Sequence, residues 1–67
     1  MCESDVYILE EDGKKLIMKD VAKILFEDNK IKIHGIIGNA VEADDCEICV
    51  IDLMKHEIIL KKKIKLR

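Results

Sequence analysis

Short apolar stretches alternate with polar breaks along the whole chain. They run from Val6 to Leu9, Leu16 to Met18, Val21 to Phe26, Ile31 to Ile37, Ala40 to Ala43, Glu47 to Leu53, and from Ile58 onward. Isoleucine and valine dominate, and β-branched side chains favour a pleated strand over a helix. Alternation is clearest in KIKIHGI, where Ile31 and Ile33 face one way while Lys30, Lys32 and His34 face the other. The breaks carry turn residues: EEDGK around Gly13, EDNK around Asn29, IIGN around Gly38, EADD around Asp44 and MKHE around His56. The first joins two apolar stretches and is a strong hairpin signal. DVAKIL could form one helical turn, but nothing sustains an i, i+3, i+4, i+7 stripe. The pattern predicts an all-β fold of six to seven short strands. At this size the expected architecture is a small SH3-like or OB-like antiparallel β-barrel, because closure removes exposed apolar edges.

Length sharpens that expectation. With 67 residues and no proline or linker, the chain is a single domain spanning 1–67. A core this small is barely sufficient, so a metal or a second subunit is a natural support. Apolar residues make up 49% and charged ones 39%, which reads as globular rather than disordered. No run of about 18 apolar residues exists to span a membrane. Glu3 and Asp5 stand where a signal peptide would begin its basic and apolar regions, so a cytoplasmic protein is expected. Cys2, Cys46 and Cys49 are then reduced thiols, and an odd number also argues against a disulfide scaffold. Charge is unevenly spread. Residues 1–60 hold seven lysines against fourteen acids, a balance of −7, and the basic C-terminal segment 61–67, KKKIKLR, adds +5. Ile64 and Leu66, set between its basic residues, suit the extension of a sheet or the cover of an edge on a second subunit.

Cys2 is the candidate with the most distinctive chemistry. Removal of Met1 leaves a thiol and a free α-amine on one residue, and the two close a five-membered chelate ring. A soft sulfur beside a nitrogen donor suits nickel, copper or zinc. A nearby cation also favours thiolate over a thiol whose ordinary pKa is about 8.5. Two such pairs from a symmetric dimer form a square-planar set of two nitrogens and two sulfurs, which favours Ni(II) or Cu(II). With Met1 retained, its amine, the Cys2 amide nitrogen and the Cys2 thiolate form two fused rings from one chain. The first case predicts one metal per dimer, the second one per protomer.

MCESDVYIL, a following hairpin, MKDVAKI and the late VIDLMKHEIIL together resemble the CooT-type nickel-binding proteins, which are associated with maturation of nickel-containing carbon monoxide dehydrogenase. The resemblance covers roughly residues 1–60 and is most specific at the opening Met-Cys-Glu. It implies an SH3-like β-barrel homodimer that binds Ni(II) through Cys2, with carbon monoxide dehydrogenase or its maturation factors as partners. The tail from Lys61 to Arg67 and the pair Cys46/Cys49 depart from the expected pattern.

The remaining residues carry less. Cys46 and Cys49 form a C-x2-C, the spacing of half a zinc site, yet no glycine or proline makes the tight turn such sites use. On a strand, residues three apart face opposite sides, so the pair should not converge. Cys49 shares a face with Ile51 and Leu53 and reads as a small core residue. His34 and His56 have no neighbouring ligand at metal spacing and read as solvated surface histidines. No nucleophile is paired with a base and no phosphate-binding loop is present, so an enzyme is not expected. The alternative function is a small RNA-binding barrel, or an interaction module that uses the tail 61–67. Against RNA stand an acidic body and only two aromatic residues, Tyr7 and Phe26.

Overall fold

The computed structural model describes residues 3–63. Its regular elements are all strands: β1 (Ser4–Glu10), β2 (Gly13–Glu27), β3 (Lys30–Gly35), β4 (Ala40–Asp44), β5 (Cys46–Asp52) and β6 (Glu57–Lys62). They form one sheet in the order β4-β3-β2-β1-β6-β5. The all-β expectation holds, with six strands. The predicted turns fall at Gly13, Asn29, Gly38, Asp44 and His56 or within a residue of them.

Two predicted segments merge. Leu16–Met18 and Val21–Phe26 are both parts of β2, which runs unbroken for 15 residues. Lys19 and Asp20 interrupt the apolar pattern but not the strand, because the irregularity is a bulge. Asp20 takes a left-handed φ of 55°, and the register slips between Ser4 and Val6 on β1 and between Val21 and Lys23 on β2. Such bulges bend a strand and increase its twist. The N-terminal part of β2 therefore pairs with β1 and its C-terminal part with β3.

Val6, Met18, Ile31, Ile33, Cys46 and Leu60 are buried, and Ile8, Val21, Ile24 and Ile48 pack against them. β1, β2, β3, β5 and β6 all contribute, so the sheet curls around one core. Backbone bonds help to hold the curl. Asp45, the single residue between β4 and β5, donates its N–H to the Asn29 carbonyl at 2.7 Å, and its own carbonyl accepts the Lys63 N–H at 2.9 Å.

One strand pair departs from the antiparallel expectation. β1 and β6 run parallel, in register from Asp5 opposite Glu57 to Ile8 opposite Leu60. Alternation identifies a strand and its buried face but carries no information about direction. Direction is legible only where a short turn forces neighbours to be antiparallel, and a long intervening chain separates these two.

Lys14 ties three strands together. Its Nζ lies 2.7 Å from Glu57 Oε1 and 4.6 Å from the centre of the Tyr7 ring. The hydrogen bond to Glu57 is the main reason its pKa lies above the ordinary lysine value. The basic segment begins as part of the sheet: Lys61 and Lys62 pair with Glu47 and Cys46 of β5. Lys61 Nζ sits 3.8 Å from Glu47 Oε2, and Lys63 Nζ donates to Asn29 Oδ1 at 3.5 Å. Ile64 to Arg67 lie outside the described residues. Among the described residues, no helix is long and apolar enough to cross a membrane.

Candidate metal centre

Cys2 lies outside the described residues, two positions before β1 starts at Ser4. That start is clamped from both sides. Asp5 donates its N–H to the His56 carbonyl at 2.9 Å. Its Oδ1 accepts the Asp20 N–H at 3.1 Å, and Oδ2 lies 3.6 Å from Lys19 Nζ. Asp5 thus joins the β2 bulge on one side to the β5–β6 turn on the other.

The β5–β6 turn is organised by Asp52. Its Oδ1 accepts the N–H groups of Met54 at 3.1 Å and Lys55 at 2.9 Å, an Asx turn that holds the chain back toward β6. His56 closes the turn at a left-handed φ of 56° and is half-buried. Leu53 and Met54 stand 78% and 91% exposed.

Three sequence segments that are far apart along the chain therefore meet at one end of the sheet. They are the opening strand, MKDVAKI with its Asp20 bulge, and VIDLMKHEIIL with its Asp52 turn. A family model for the CO dehydrogenase accessory protein CooT matches residues 1–61. The chain belongs to the CooT family. The family is one of carbon monoxide dehydrogenase accessory proteins, which associates the chain with the maturation of that enzyme. Its fold resembles the crystal structure of a protein described as a candidate CooT from Carboxydothermus hydrogenoformans. The TM-score is 0.83 at 22% identity, covering 94% of this chain and all of that one. No curated protein matches the chain.

The other thiols of this CooT member do not form a pair. Cys46 is buried at the start of β5, where its Sγ lies 3.4 Å from the Asp44 carbonyl. Cys49 is exposed, which corrects its reading as a core residue. Alternation from the buried Cys46 puts Ile48 on the same face and Cys49 on the other. A second bulge follows: Ile48 pairs with Leu60 and Val50 with Ile59, which leaves Cys49 without an opposite residue and Val50 exposed. In the folded protein, Cys49 is expected to react with iodoacetamide while Cys46 reacts only on unfolding. Peptide mapping by mass spectrometry before and after denaturant checks this.

His34 is the penultimate residue of β3, opposite Lys23 and Ala40, and its neighbour Gly35 pairs with Val21, which in turn pairs with Ser4 at the start of β1. Among the described residues, no three His, Cys, Asp or Glu side chains cluster to hold a metal. Sequence reasoning missed the position of His56 beside the start of β1. The only available signal was its place directly before an apolar stretch, and the parallel pairing that gives this place its meaning is not visible in the sequence.

Proposed function

We propose that the protein is a nickel-binding accessory factor, non-catalytic itself, that carries Ni(II) for carbon monoxide dehydrogenase maturation. The Cys2 thiolate and a nitrogen at the chain start are the essential donors, in a homodimer that brings two such chain starts together. The observation that supports this best is the meeting of the three family-like segments at the start of β1, directly after Cys2. A strand clamped at Asp5 gives the residues before it a fixed anchor. A carrier has to release its metal, so its site must exchange, whereas structural zinc sites are closed.

The RNA reading gains little from the surface. The Tyr7 ring is covered by Lys14, and Lys19, Lys30, Lys32 and Lys61 each lie within 4.0 Å of a carboxylate. A basic groove with stacking platforms needs the opposite arrangement.

A Ni(II) titration followed by absorption and native mass spectrometry tests the proposal. Thiolate-to-nickel charge-transfer bands saturating at one metal per dimer are expected for shared N-terminal pairs. Saturation at one per protomer assigns the fused Met1–Cys2 chelate instead. A titration that stays blank overturns the nickel reading.

A further inference from the structure

The geometry points to the first half of β2 as a docking edge for an extended, acidic and apolar segment of another protein, whether or not the chain carries nickel. β2 lies between β1 and β3 but uses them in turn. β1 pairs with it from Gly13 to Val21, whereas β3 pairs with it only from Val21 to Glu27. The two partners part at the Asp20 bulge, where the Asp20 carbonyl accepts the Ile36 N–H at 3.0 Å. On the side away from β1, no strand among the described residues pairs with residues 14–19. Such an edge offers N–H and C=O groups to an incoming strand.

This edge borders a groove of about 420 Å3. Residues 16–20 of β2 line one side of it, and Ile36, Ile37, Asn39 and Val41 line the other. Successive side chains of a strand point to opposite faces, so five consecutive residues line one groove only along the backbone edge. The far wall is uncharged and apolar, with Ile36 55% and Ile37 85% exposed. Alternate side chains of a strand laid along the edge lie beside that wall.

The lysines decide between occupants. Lys14 and Lys15 stand at one end of the edge and Lys19 at the other. Lys14 meets Glu57 and Lys19 meets Asp5, but Lys15 has no carboxylate within 4.0 Å among the described residues. A second copy fits poorly. Antiparallel pairing of the edge with itself brings Lys14 and Lys15 of one copy toward Lys19 of the other, and like charges directly opposite each other are destabilising. Edge lysines are a common guard against such self-pairing. A segment that alternates apolar and acidic residues meets every feature: backbone groups for the edge, apolar side chains for the wall, and carboxylates for the lysines.

A capped peptide of alternating valine and glutamate is the probe, with a valine–lysine peptide as its control, on the full chain. Hydrogen exchange followed by NMR reads the edge directly. Among residues 14–19, the amides not bonded to β1 should exchange fast in the free protein and slow by about tenfold or more when the glutamate peptide binds. The lysine peptide should not bind. Ile37→Glu, at an exposed position, should keep the parent's thermal midpoint and weaken the glutamate peptide by about tenfold. Failure of the glutamate peptide to bind, equal binding of the lysine peptide, or binding that leaves the edge amides fast overturns the proposal. Edge amides already protected in the free protein, increasingly so at higher protein concentration, overturn it in favour of a second copy.

Discussion

Cys2→Ser is expected to lose Ni(II) affinity by about 100-fold or more, beyond the loss typical of groups that merely support a ligand. Serine keeps the size and the chelate ring but changes the donor. Its hydroxyl does not ionise in the accessible pH range, so a soft anionic sulfur is replaced by a neutral oxygen that Ni(II) binds poorly. The charge-transfer bands should vanish with the sulfur. Stability should not change, because β1 begins at Ser4 and the core begins at Val6. The parent's affinity should itself fall in acid. Both the thiol, with an ordinary pKa near 8.5, and an α-amine, near 8, must shed protons before they bind. Chelator competition on parent and variant over a range of pH measures both effects. A serine variant that binds as tightly as the parent sinks the assignment of Cys2.

Particular residues show how far the sequence could be read. Ile31 and Ile33 against Lys32 and His34 are legible because the side-chain period of a strand is two, and the structure buries both isoleucines. The turns are legible because Asp, Asn and Gly accept the backbone they need: Asp28 and Asp45 are left-handed, and Gly13 and Gly38 have positive φ. Bulges break this logic. The β5 bulge turns Val50 out of the face that Cys46 and Ile48 share, whereas Cys49 stands exposed because alternation from Cys46 already puts it on the other face. Asp20 is the converse case: it breaks the apolar pattern, yet the strand continues through it as a bulge. The reading of Cys2 rests on residue types alone, and Cys2 lies outside the described residues. The place of His56 needs a parallel pairing between the two ends of the chain, which no local pattern encodes.

Leu60→Ala is expected to bring the fold close to its limit. Leu60 is fully buried, opposite Ile8 of β1 on one side and Ile48 of β5 on the other. Truncating a buried leucine costs roughly 2–5 kcal/mol in lost burial and residual cavity. A chain of this length has a total stability of only about 3–10 kcal/mol. The unfolding midpoint should therefore fall by roughly 10 °C or more. Leu53→Ala is the matched control: the residue is 78% exposed, and its loss should stay within about 0.5 kcal/mol. Calorimetry or circular dichroism melting separates the two, and equal midpoints overturn the single-core account. Cys46, buried beside the same core, should become open to alkylation as Leu60→Ala unfolds.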